Sequence, residues 1–266
     1  MWKGEDYTEQ FSMEAYMRDF YSVENILHTE SPKGKMRRFA MKTFHEIFEK
    51  ISDSGNYGDR LFSFGTGPGV LEIISASRYF PNISCSEFIA DGRKEIVKWL
   101  EKDPNAFDWS PFIKHISKME GNESKWEERE KQLRDAITAV IPCNCLDPTN
   151  MTEPNYLKPF DTLLTSGVLD CSCPDIATYR AQLKLLIRKY LKPGGHFIQL
   201  GPLEADSWIV NGKTFHALYM TKEDVYSAWE NAGLKVEQFY FLKYGEEDKF
   251  SDANYKATFI GKGIKL

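Results

Sequence analysis

The sequence predicts an α/β fold built on a mostly parallel sheet with helices covering both faces. Three observations carry this. Short apolar runs alternate with helix-period segments along most of the chain. A glycine-rich turn, Phe64-Gly65-Thr66-Gly67-Pro68-Gly69, closes one of these runs and opens the next segment. Further on, Lys192-Pro193-Gly194-Gly195 stops a helix and feeds a strand.

The first thirty residues are rich in aromatics: Tyr7, Phe11, Tyr16, Phe20 and Tyr21. Phe39, Met41, Phe44, Ile47, Phe48 and Ile51 then recur near helical spacing and predict an amphipathic helix. After a turn-rich break over 53–59, residues 61–64 read as a strand. Val70, Leu71, Ile73 and Ile74, behind the glycine cluster, read as the opening of a second helix. Residues 83–86 are a short strand with Glu87 at its carboxyl end. The helix through Ile96, Val97, Trp99 and Leu100 stops before Pro104, and 103–121 reads as an ordered insertion loop. The charged segment 123–140 reads as a helix laced with i,i+4 ion pairs. Strands follow over 141–146 and 160–166, joined by a proline-rich connection. A helix over 176–191 leads into a strand over 196–200. Trp208-Ile209-Val210 and Thr214-Phe215 flank Asn211-Gly212, a strong hairpin signal. A helix over 221–232 ends at Gly233, and strands over 235–242 and 255–261 close the chain.

Charge and composition narrow the function. The 266 residues carry a net charge of −5, which disfavours a nucleic-acid backbone or an anionic membrane surface as the main partner. The basic run Lys35-Met36-Arg37-Arg38 reads as a solvated helix face. No apolar run has the length of a membrane span, and the first residues lack the order of a secretory signal, so a cytoplasmic protein is expected. Five cysteines make an odd, poor disulfide framework that suits a reducing compartment. Cys143 and Cys145 alternate as on a strand, facing opposite sides, and no metal site is expected there.

Ligands of such sheets bind beyond the carboxyl ends of the strands, where the strand order reverses. The turns after Phe64, Ser86, Cys145 and Ser166 are therefore the candidate site. The glycine turn lacks the third glycine of a dinucleotide fingerprint, Val70 standing there, and lacks the Gly-Lys-Ser/Thr of a P-loop. Roughly twenty residues on, Glu87 is placed to accept hydrogen bonds from ribose hydroxyls. The combination points to a nucleoside cofactor with no required pyrophosphate, as in S-adenosylmethionine (SAM).

Several stretches are more specific. Tyr16 to Tyr21, Gly65-Thr66-Gly67-Pro68, Val97-Lys98-Trp99-Leu100, Ala106-Phe107-Asp108-Trp109-Ser110-Pro111, Leu169-Asp170, Cys173-Pro174-Asp175 and Leu191-Lys192-Pro193-Gly194-Gly195 run through nearly the whole chain. In them the chain resembles the small-molecule N-methyltransferase family that includes nicotinamide, phenylethanolamine, indolethylamine and thioether methyltransferases. The resemblance implies a class I SAM-dependent methyltransferase fold: a Rossmann-like seven-stranded sheet, its last strand antiparallel, with an N-terminal helical cap. It implies one domain over 1–266, with cap and helix in 1–50 and the core in 58–266, acting as a monomer. By position, Tyr16 and Tyr21 would close over the methionine end of SAM, and Gly65, Thr66 and Gly67 would lie against its carboxypropyl and ribose parts. Glu87 would take the ribose hydroxyls, Phe88 would stack on adenine, Asn144 and Cys145 would line the adenine edge, and Ser166 would sit near the methionine. Ser63, Gly92 and Asn144 depart from residues common in relatives, which implies a weaker hold on the cofactor.

The acceptor implied is the nitrogen of a small molecule, an amine or an aza-aromatic. Nicotinamide-specific relatives hold the carboxamide with an aspartate and two serines where this chain has Gly201, Ala205 and Ala217. Amine-methylating relatives carry acids around the nitrogen, and Asp170, Glu204, Asp206 and Asp252 are the candidates here. The expectation is a small amine, arylalkyl or similar, with nicotinamide as the alternative acceptor and a catalytically silent SAM-binding protein as the alternative of another class.

Overall fold

A computed structural model describes residues 1, 6–55, 57–147 and 158–266. Most of the proline-rich connection before residue 160 lies outside the described residues. The N-terminal segment forms short helices α1 (Tyr7–Gln10) and α2 (Met13–Phe20), a π-helical turn (Glu24–His28), and the long α3 (Pro32–Asp53). α3 starts as its sequence dictates. Ser31 accepts a hydrogen bond from Gly34 N, and Pro32 occupies the first turn, where its missing N–H costs nothing.

The core is one sheet of β1 (Arg60–Phe64), β2 (Asn82–Glu87), β3 (Ile137–Pro142), β4 (Phe160–Ser166), β5 (Leu191–Leu203), β8 (Leu234–Lys243) and β9 (Ala257–Lys265). Its order is β3-β2-β1-β4-β5-β9-β8, and β9 runs antiparallel to both neighbours. A separate hairpin pairs β6 (Ser207–Val210) with β7 (Lys213–His216) through Asn211-Gly212. Alternate residues of the central strands enter two different apolar clusters. Leu61, Leu164 and Ile198 meet the cluster that holds the N-terminal segment and α3, whereas Phe62, Leu163 and Phe197 meet the one that holds α8 (Ile176–Tyr190) and α9 (Lys222–Asn231). The sheet is therefore covered on both faces. Among the described residues no helix is long and apolar enough to cross a membrane.

Four expectations are corrected. Residues behind the glycine turn form two 3₁₀ turns, Leu71–Ile73 and Ala76–Arg78, where an α-helix was expected. The Arg129 guanidinium bonds Ile74 O and Ser77 Oγ, taking a carbonyl that a continuing helix would use. The expected loop over 103–121 contains α5 (Ser110–Met119); its Pro111 lies in the first turn, and Phe112, Ile113 and Ile116 form a buried stripe at helical spacing. The charged helix α6 (Trp126–Ala136) stops before 140, because the β-branched run from Ile137 to Ile141 becomes β3. Cys143 and Cys145 thus follow the strand, and both enter the same buried cluster; residues two apart on a strand share one face, so the expectation of opposite sides fails on that ground as well. The remaining helix is α4 (Ala90–Leu100), followed later by the single turn α7 (Leu169–Ser172).

The helix α9 begins with a reciprocal capping box: Thr221 Oγ1 accepts from Asp224 N at 3.2 Å and Asp224 Oδ2 accepts from Thr221 N at 3.1 Å. Thr221→Ala is expected to destabilise the protein by about 1 kcal/mol, measured as a lower denaturation midpoint at unchanged m-value.

Candidate active site

The strand order reverses between β1 and β4, and a cavity of about 250 Å³ opens at their carboxyl ends beneath the N-terminal aromatic segment. Tyr16, Tyr21, Gly65, Thr66, Gly67, Glu87, Phe88, Asn144, Cys145 and Ser166 all line it. The glycine turn is held from β2. Thr66 N donates to Ser86 O at 2.7 Å, and Gly65 N donates to Ser86 Oγ at 3.3 Å. Gly65 and Gly67 adopt φ of +70° and +71°, a region costly for other residues, and a Cβ on Gly65 would run into Val168.

Glu87 is buried, and its carboxylate is aimed by backbone. Oε2 accepts from Gly67 N at 3.0 Å and Oε1 from Ile89 N at 2.8 Å. Burial pushes its pKa up, and those two N–H groups pull it partly back. A Cβ at Gly92 would fall 2.9 Å from Glu87 Cγ and 3.0 Å from Met13 Cε, so the glycine leaves Glu87 its place. Asn144 Oδ1 accepts from Leu146 N at 2.9 Å and retains a second lone pair.

The opposite wall is aromatic. Trp208, delivered by the β6–β7 hairpin, lies with its ring 6.3 Å from Tyr7, 5.8 Å from Phe11, 5.9 Å from Tyr16 and 5.7 Å from Phe20. Tyr255 completes this wall. Asp170 enters the cavity from α7, directly after β4, and is 2% exposed. Its Oδ2 meets Cys171 Sγ at 3.4 Å, while Oδ1 has no hydrogen-bond partner among the described residues. Burial pushes the Asp170 carboxyl up to about 6, only partly opposed by its own backbone N–H and Cys171.

The structure does not bring the other three acids into the cavity. Glu204 is exposed with φ of +52°, and Asp206 is exposed and engaged with Ser207 and Asn254. Asp252 is paired with Lys33. In each case the chain turns away just after β5 or before β9, and sequence distance from the site was a poor guide. Gly201, Ala205 and Ala217 are buried but likewise do not line the cavity.

One pair was missed by the sequence reading. Arg37 and Glu72, each 6% exposed, line the cavity and join through Arg37 Nη1 and Glu72 Oε1 at 2.8 Å. The run 35–38 is thus no solvated face: Met36 is buried, and Arg38 bonds the carbonyls of Ile26 and Thr29. A signal was present, because Arg37 falls in helical phase with Ala40, Met41, Phe44 and Phe48, all buried on α3.

The chemistry suits SAM on the structure's own terms. A glycine turn open to close approach, a buried acid fixed by backbone and a neighbouring aromatic, Phe88, are the donors and surfaces a nucleoside needs. Orphaned buried polar atoms, Glu72 Oε2 and Asp170 Oδ1 among them, lie in residues that line the same cavity.

Known proteins agree. The model of the NNMT/PNMT/TEMT family matches residues 1–259. Indolethylamine N-methyltransferase of Oryctolagus cuniculus is 32% identical over 238 residues, 90% of this chain and 88% of its own. Nicotinamide N-methyltransferase of Sus scrofa is 32% identical over 260 residues, 98% of this chain and 95% of its own. Phenylethanolamine N-methyltransferase of Macaca mulatta is 32% identical over 236 residues, 86% and 79% respectively. In fold, the chain is similar to magnesium protoporphyrin IX methyltransferase from Synechocystis PCC 6803 with bound SAM, at a TM-score of 0.57 and 11% identity over 98% of this chain and 94% of that one. The chain therefore belongs to the NNMT/PNMT/TEMT family, a family of SAM-dependent N-methyltransferases.

Proposed function

We propose that the chain transfers the methyl group of SAM to the nitrogen of a small amine with an aromatic or arylalkyl body. The observation that carries this reading is Asp170: a buried carboxyl with a free oxygen and a pKa near 6, set in an aromatic-walled cavity. An ammonium group satisfies that oxygen, and Tyr7, Phe11, Tyr16 and Trp208 offer ring faces that attract a cation. The relatives named for indolethylamine and phenylethanolamine act on ligands of this shape and charge.

When bound, SAM supplies an electrophilic methyl carbon on a sulfonium. The chain's own residues position and prepare the acceptor. Asp170, ionised above about pH 6, holds the ammonium form and accepts its proton, leaving the nitrogen lone pair free. The aromatic wall excludes water and fixes the amine's body. Glu87 would hold the ribose hydroxyls, Phe88 would stack on adenine, Asn144 and Cys145 would line its edge, and Ser166, Tyr16 and Tyr21 would enclose the methionine end, with Gly65, Thr66 and Gly67 against the carboxypropyl and ribose parts. Rate enhancement then comes mainly from proximity, roughly 7–11 kcal/mol in the best cases. Every residue used comes from one chain.

Nicotinamide is the second reading, favoured by the relative in Sus scrofa that covers 98% of this chain. The buried Asp170 carboxyl, with its unpartnered oxygen in the cavity, suits a cationic amine better than a neutral carboxamide, which disfavours it. Calorimetry in the presence of S-adenosylhomocysteine tests the choice: 2-phenylethylamine or tryptamine is expected to bind well above nicotinamide, and the reverse order would sink the reading. Trp208→Ala is expected to raise KM for the aromatic amine roughly tenfold, with S-adenosylhomocysteine affinity unchanged.

A further inference from the structure

A buried ion pair normally closes on itself. Arg and carboxylate tend to meet through two parallel hydrogen bonds, which satisfies both groups and lowers the cost of burying them. Arg37 and Glu72 do not. They share one contact, Nη1 to Oε1 at 2.8 Å, and both Arg37 Nε and Glu72 Oε2 find no partner among the described residues. Two idle polar atoms of opposite character, one donor and one acceptor, therefore lie in a pair that lines the cavity. Leaving such groups unsatisfied is expensive, so a ligand that completes both is the economical explanation.

The pair lies beside the tyrosines that the proposed function puts at the methionine end of SAM. The Arg37 guanidinium lies 4.6 Å from the centre of the Tyr21 ring, and Tyr21 in turn packs edge-on to Tyr16 at 5.7 Å. Glu72 lies three residues after Gly69, the last residue of the glycine turn, in the 3₁₀ turn Leu71–Ile73. Asp170 and the Trp208 wall are contributed by α7 and the β6–β7 hairpin, separate elements from those that carry the pair. Burial pulls the Arg37 pKa down, but Tyr21, Glu72 and Tyr16 more than offset it, so the guanidinium stays charged.

We propose that Arg37 and Glu72 form a receptor for the α-amino-acid head of SAM, with Arg37 donating to its carboxylate and Glu72 accepting from its ammonium. A zwitterion matches the pair in both charge and hydrogen-bonding sense, which neither an aromatic amine nor a nucleoside does. The two residues are specificity determinants for the cofactor: they distinguish a full amino-acid side arm from a truncated one, and they touch neither the methyl group nor the acceptor.

This inference rests on SAM being the cofactor, and calorimetry with two probes separates the two claims. S-adenosylhomocysteine carries the amino-acid head; 5′-methylthioadenosine has the same nucleoside and lacks the head. The wild type is expected to bind both, the former more tightly, and binding of neither would overturn the cofactor reading itself. The double variant Arg37→Met, Glu72→Met replaces the pair with apolar groups, a change that buried ion pairs often tolerate. It is expected to bind 5′-methylthioadenosine as the wild type does and S-adenosylhomocysteine at least about tenfold more weakly. An unchanged ratio of the two affinities would overturn the proposal. Glu72→Gln, nearly isosteric, decides by the same ratio if the double variant does not fold.

Discussion

Asp170→Asn is expected to lower kcat/KM for amine acceptors by roughly 10²- to 10⁴-fold while changing S-adenosylhomocysteine affinity by less than about threefold. Asparagine keeps the volume and one oxygen but cannot carry the charge that holds an ammonium or accept its proton. The pH profile sharpens the test. With its pKa pushed up to about 6, Asp170 is ionised only above that value, so wild-type kcat/KM should rise through pH 6 and that limb should be missing in the variant. Stability moves the other way. A carboxyl raised from 3.8 to about 6 in the folded state contributes stability that is full below pH 3.8 and is lost as pH rises through 6, up to about 3 kcal/mol. The variant should therefore melt higher than the wild type above pH 6 in the absence of ligand. Equal loss of cofactor binding and turnover would show that Asp170 is structural.

Glu87→Ala is expected to weaken binding of S-adenosylhomocysteine and 5′-methylthioadenosine alike, by about 100-fold or more. Two charge-assisted bonds from the ribose hydroxyls to the carboxylate are lost, and the glycine turn also loses the brace that Glu87 gives it through Gly67 N and Ile89 N. At about 1.5–3 kcal/mol each, the pair of bonds accounts for that factor. Parallel loss on both probes is the mark of a nucleoside contact, and it separates Glu87 from the Arg37–Glu72 pair, which should discriminate between them. Retained 5′-methylthioadenosine binding would place the ribose elsewhere.

Much of the fold was legible because strands and turn residues announce themselves locally. Phe160 to Ser166, the Asn211-Gly212 hairpin and the Gly233 stop all follow from short-range chemistry, and the structure places them where that chemistry puts them. The errors arose where a tertiary contact decides. The Arg129 guanidinium, more than fifty positions away in sequence, bonds the backbone behind the glycine turn and leaves it in 3₁₀ turns. The loop expected over 103–121 contains a helix instead, with Pro111 in its first turn. In the site, residues at strand ends were readable, since topology alone brings the ends of β1, β2 and β4 together. The distal acids were not, because whether Glu204, Asp206 and Asp252 face in or out depends on the path after β5 and on Lys33. Arg37 was hidden by its basic neighbours, although its phase on α3 marked it as buried.

The most direct measurement is a competition turnover assay with methyl-deuterated SAM, offering 2-phenylethylamine, tryptamine and nicotinamide together at equal concentration and identifying the labelled products by mass spectrometry. The label is expected on the nitrogen of an arylalkylamine, in preference to nicotinamide and dependent on Asp170. Label on nicotinamide alone, undiminished by Asp170→Asn, would contradict the account.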